Sequence, residues 1–168
     1  MIENKNKKRK KEEERILTGT FISNARGFGF VEIEEEDLDL YISKKRTKGA
    51  FHKDVVQVKV MASRHRKHRE AQVVRILERG MKQVVGTYEQ SGEHFGFVTP
   101  DAGNLPKDIF VPKEASKGAV TGHKVVVEIT DYGNDRRNPE GKVNPGILLP
   151  LLRGNPTGSL RPVPGQMQ

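Results

Sequence analysis

Arg26-Gly27-Phe28-Gly29-Phe30-Val31 recurs 67 positions later as Glu93-His94-Phe95-Gly96-Phe97-Val98. Side chains of a strand alternate between its two faces, so both Phe residues of each run share one face and the Gly between them takes the other. Glycine inside a strand often marks a place where a ligand or another backbone comes close. Two aromatic rings side by side on an exposed strand form a platform on which bases can stack.

Working outward, the chain around each run repeats as well. Gly19-Thr20-Phe21 is answered by Gly86-Thr87-Tyr88, and Asp39-Leu40-Tyr41-Ile42-Ser43-Lys44 by Asp108-Ile109-Phe110-Val111-Pro112-Lys113. Gly49-Ala50 matches Gly118-Ala119, and Val56, Val58 and Val60 match Val125, Val127 and Ile129. Glu70-Ala71-Gln72-Val73 finds its counterpart in Glu140-Gly141-Lys142-Val143. A repeat of this period predicts two similar small domains, residues 17–79 and 80–143.

Each copy reads as five short strands separated by Gly-rich or charged turns, which predicts an all-β fold of two tandem five-stranded OB-fold barrels. Closure into a barrel removes the edges that an open sheet of this size would expose. Such barrels bind oligonucleotides on their second and third strands, here those carrying Phe28, Phe30 and Tyr41, and Phe95, Phe97 and Phe110. Parity turns Val31, Ile33, Leu40, Ile42, Val56, Val58 and Val60 inward, so the platform rings face outward.

Composition narrows the partner. Lys and Arg exceed Asp and Glu by 8 in 168 residues, with most of the excess in the first half, which favours a polyanion. The chain has no Cys, so disulfides and thiolate metal sites are excluded and a reducing, cytoplasmic setting is expected. No stretch approaches the roughly 20 apolar residues that span a bilayer, so no membrane partner is expected. Arg26, Lys44, Lys45, Arg46 and Lys113 flank the platforms and are read as phosphate contacts, with solvated surface as the competing reading. His94 stands where the first copy has Gly27 and is read as a further stacking residue; His123, in place of Asp54, is read as surface only. His65 and His68 have no liganding partners at suitable spacing, and the acidic run Glu34–Asp37 is read as hydrated loop rather than a cation site. No Ser lies in a nucleophile elbow and no Gly-rich loop opens a helix.

Residues 1–16 hold Lys7-Lys8-Arg9-Lys10-Lys11 followed by Glu12-Glu13-Glu14, a disordered basic arm that either touches phosphates or is simply solvated. Residues 144–168 hold five Pro and four Gly without periodicity, and predict an irregular tail.

The paired motifs Arg26–Val31 and Asp39–Ile42 resemble the ribonucleoprotein motifs of cold-shock domains. The tandem arrangement over residues 17–143 is similar to the N-terminal region of the ribonuclease II/R exoribonuclease family. That resemblance implies a non-catalytic module that binds single-stranded RNA and feeds it to a 3′-to-5′ hydrolytic domain. Magnesium held by clustered aspartates belongs to that further domain, so no cofactor is expected in this chain. The departure after Val143 suggests a truncated or out-of-frame end, or a fragment. A monomer is expected, with the ribosome or structured RNA as additional partners. A self-standing RNA chaperone is the alternative. A protein-docking adaptor is the third, distinguished by tolerance of Ala at Phe28, Phe30, Phe95 and Phe97.

Overall fold

The structure is a computed structural model and describes residues 15–62 and 69–145. Both terminal segments and the basic run 63–68, with His65 and His68, lie outside the described residues. The described chain contains ten strands, three single-turn 3-10 segments and no α-helix. In the first half these are β1 (Ile16–Ser23), β2 (Gly29–Ile33), β3 (Leu38–Ile42), β4 (Val55–Met61) and β5 (Arg69–Glu78). They close in the order β1-β2-β3-β5-β4, with β4 returning to β1 and β3 running parallel to β5. In the second half, β6 (Gln83–Gln90), β7 (Phe95–Pro100), β8 (Ile109–Pro112), β9 (Lys124–Asp131) and β10 (Glu140–Val143) close in the corresponding order. The expected pair of five-stranded barrels is what the chain forms.

Parity holds in both copies. Val31, Ile33, Leu40, Ile42, Val56, Val58 and Val60 are buried in the first core, as are Val98, Ile109, Val111, Val125, Val127 and Ile129 in the second. Each such aliphatic side chain withdrawn from water contributes about 1.5–3 kcal/mol. The repeat extends to the ladder register. Tyr41 lies opposite Glu70 across the parallel pair of the first barrel, and Phe110 opposite Glu140 across that of the second.

The glycine of the repeated motif marks a close approach, both of a core side chain and of the neighbouring strand's backbone. Gly29 and Gly96 point into the cores, where a Cβ would meet the Phe21 ring at 2.5 Å in one barrel and the Tyr88 hydroxyl at 2.5 Å in the other. The Ile22 and Glu89 carbonyls of the neighbouring strands lie 2.6 and 2.7 Å from the same Cβ positions. Gly29 and Gly96 make room for a large aromatic side chain of the preceding strand, and Phe21 and Tyr88 are themselves the repeated pair. Side-chain volume in a close-packed core explains the spacing.

His123 is likewise more than surface. Its Nδ1 accepts the Val120 N–H at 3.1 Å, just as the Asp54 carboxylate accepts the Phe51 N–H at 2.8 Å in the equivalent turn.

The two barrels are docked through a seam. Phe51, contributed by the first, is buried among the core residues of the second and meets the Tyr132 ring at 5.3 Å. Arg79 lies in the short connection between β5 and β6. It donates from Nη1 to Asp54 at 2.7 Å and to the Gly49 carbonyl at 3.0 Å, while its guanidinium stacks 3.9 Å from the Tyr132 ring centre. The Gly80 N–H adds a bond to the same carboxylate at 3.1 Å, and the Tyr132 hydroxyl donates to the Met81 carbonyl at 2.8 Å. Asp54 is wholly buried, so its charge is tolerated only because these donors surround it.

His52 closes the other end of the seam. Its Nδ1 accepts the Ser23 N–H at 3.1 Å, Asn104 packs its amide against the ring, and the Ser23 hydroxyl donates to the Asn104 carbonyl at 2.6 Å. An Nδ1 that accepts a backbone N–H cannot also hold a proton, so the ring is held neutral. Burial lowers its pKa, aided by Lys53 and opposed by Asp54. With the folded pKa below the unfolded value of about 6.5, the unfolded chain binds the extra proton. The contribution of His52 is therefore complete above that pH and is lost as pH falls toward the lowered folded value. Thermal melts between pH 7.5 and 5.5 should show a falling midpoint in the wild type and a flatter profile in His52→Gln. Parallel profiles would contradict this assignment.

Candidate nucleic-acid interface

On the first barrel, Phe28 follows the β1–β2 turn, Phe30 projects from β2, and Tyr41 lies opposite Phe30 on β3. The turn is built by Asn24, whose side chain accepts the Arg26 N–H at 2.9 Å, and by Gly27, whose φ of +99° suits a residue without Cβ. The three rings are half-buried and pack with centroid separations of 6.0 Å (Phe28–Phe30), 5.6 Å (Phe28–Tyr41) and 5.7 Å (Phe30–Tyr41).

The second barrel repeats this arrangement with Phe95, Phe97 and Phe110. Its separations are 5.8, 5.6 and 5.7 Å in the same order, and the interplanar angles follow the same pattern. The cores do not need these rings, because the inward rows are already complete. Three half-buried aromatics, two pairs edge to face and one tilted, form a surface that can receive flat apolar groups.

Charge is arranged unevenly around each platform. Arg26, Lys44, Lys45 and Lys113 are exposed. Lys44 runs its stem against Gly27, beside the first platform. Arg46 lies 3.7 Å from the Glu70 carboxylate, a partly exposed ion pair. Glu70 and Glu140 stand beside Tyr41 and Phe110 and bound each platform on its β5 or β10 side. His94 is exposed at the end of the second platform, 3.9 Å from the Glu93 carboxylate. Among the described residues no group of three or more His, Asp or Glu side chains converges. No described helix is long and apolar enough to cross a membrane.

Lys107 was not visible as a site residue in the sequence. It belongs to the β7–β8 connection and donates to the Asn134 carbonyl at 2.8 Å across the mouth of an inter-barrel cleft. Burial and Lys44 lower its pKa, opposed by Asp135, and Lys44 of the first barrel lines the same cleft. Only the docking of the barrels creates that neighbourhood.

The family model described as the ribonuclease B OB domain matches residues 19–76, and the cold shock domain model matches residues 97–145. Ribonuclease R of Escherichia coli K12 is 36% identical over 129 residues, which cover 76% of this chain and 16% of that protein. Ribonuclease R of Thermotoga maritima is 35% identical over 147 residues, covering 83% of this chain and 20% of the relative. The chain is similar to the N-terminal OB region of ribonuclease R. It spans between a sixth and a third of the length of such relatives, reaching 29% for the ribonuclease R of Acidithiobacillus ferrooxidans. Mycoplasma genitalium RNase R, solved in complex with ribose-methylated single-stranded RNA, shares the fold at a TM-score of 0.67 and 14% identity. That alignment covers 82% of this chain and 22% of the other. The yeast pseudonuclease Ssd1 shares it at a TM-score of 0.64 and 16% identity, over 85% of this chain and 24% of that one. The two ring platforms of this ribonuclease R-type region lie within the matched residues, except that Phe95 falls just ahead of the second model match.

Proposed function

We infer that this chain binds single-stranded RNA through its two ring platforms and delivers the strand to an exoribonuclease active site outside these residues. The observation that carries this reading is the duplicated triplet of half-exposed rings, with the same spacing in both barrels and cations beside it. Phe28, Phe30, Tyr41, Phe95, Phe97 and Phe110 stack on bases, with His94 at the end of the second platform. Arg26, Lys44 and Lys113 hold phosphates.

Stacking gives roughly 1–3 kcal/mol per base with little regard to sequence, so binding is tolerant of sequence. Each neutralised phosphate on a single strand adds a slope of roughly −0.7 to the dependence of log affinity on log salt. Fluorescence anisotropy with a labelled oligouridylate, titrated at several salt concentrations, should therefore give a slope of about −2 for three phosphate contacts. A salt-independent affinity would contradict the assignment. Hydrolysis is assigned to no residue of this chain. Purified protein with magnesium should leave RNA full length, and steady shortening from the 3′ end would overturn that.

A further inference from the structure

We propose that the cleft between the barrels is a nucleotide subsite that carries one RNA strand from the first platform to the second. This rests on the platform reading and adds a site to it. The cleft has a volume of about 200 Å³, more than a benzene-sized cavity of about 150 Å³. Phe51 and Tyr132 supply an apolar floor; Arg26, Lys44 and Lys107 line the cleft with positive charge, and Asp135 is the single acidic side chain among its lining residues. An apolar floor with cations along the walls suits a nucleoside phosphate, which is flat and apolar at one end and anionic at the other.

Its position links the two platforms. On one side, Arg26 and Gly27 belong to the turn that leads directly into Phe28. On the other, Pro139 lines the cleft, and its carbonyl accepts the Phe110 N–H at 2.8 Å. A strand leaving the first rings thus passes between Lys44 and Lys107 before it reaches Phe110. Lys44 and Lys107 both line the cleft, so a phosphate there would relieve their like-charge repulsion; burial and Lys44 lower the Lys107 pKa, with Asp135 opposing.

The test compares fluorescein-labelled oligouridylates of about 4 and about 12 nucleotides, within the span of lengths that single OB barrels bind. Lys107→Gln should weaken binding of the long RNA about fivefold at 0.1 M salt and reduce its salt slope by about 0.7, with the short RNA unaffected. Lys107→Arg should restore both. An unchanged long-RNA slope in Lys107→Gln, with binding still dependent on the Phe rings, overturns the subsite and leaves the platforms standing. Equal weakening of both lengths marks a diffuse field and also overturns it. Binding of both lengths that ignores the Phe rings overturns the platform reading, and the subsite with it.

Discussion

Replacing Phe28, Phe30, Phe95 and Phe97 together by Ala is expected to weaken binding of a 12-nucleotide single-stranded RNA at least about 100-fold, because several bases lose roughly 1–3 kcal/mol of stacking each. The loss should persist at high salt, since stacking does not depend on counterion release, whereas charge substitutions lose their effect there. The rings are half-buried and touch one another, so removing them also costs ring–ring packing of about 0.5–1.5 kcal/mol per pair. The buried rows beneath are untouched, and circular dichroism should report a folded β protein with a somewhat lower melting point. Changing one platform at a time, Phe28 with Phe30 or Phe95 with Phe97, shows whether both barrels engage one strand. An affinity for RNA that survives the fourfold change in a folded protein would remove stacking from the function and favour a protein-docking role.

The second large effect concerns stability. Asp54→Ala should destabilise the protein by about 3–5 kcal/mol, since each buried donor left without an acceptor costs about 1–3 kcal/mol. Three donors lose their acceptor at once: Arg79 at 2.7 Å, the Phe51 N–H at 2.8 Å and the Gly80 N–H at 3.1 Å. For a chain of this size the thermal midpoint should fall on the order of 10 °C. His123→Ala is the internal control, because His123 occupies the equivalent turn and, among the described residues, its side chain accepts the Val120 N–H alone. It should cost about 1 kcal/mol. Equal losses in the two variants would mean that Asp54 serves its turn alone and not the seam between barrels.

The contrast between those two positions separates what could be read along the chain from what could not. Strand parity was legible because inward and outward residues alternate over short runs, and a repeat offers every such reading twice. Val31 and Val98, Leu40 and Ile109, and Val56 and Val125 all lie where alternation places them. The platforms followed from the same rule, as the residues between inward ones. Even so, the meaning of Gly29 and Gly96 was hidden, since nothing adjacent in sequence shows that Phe21 and Tyr88 fill the space below them.

The seam was not legible at all. Phe51 and Val120 are equivalent in the repeat, yet Phe51 is buried against the second barrel while Val120 is half exposed. Local pattern carries the strand period, because alternation is a property of one stretch of backbone. It carries no record of which barrel face meets which, because that depends on side chains as distant as Ser23, Asp54, Arg79, Asn104 and Tyr132 converging on one interface. The platforms are thus encoded twice in the order of residues, whereas the cleft beside Lys107 exists only once the two barrels have docked.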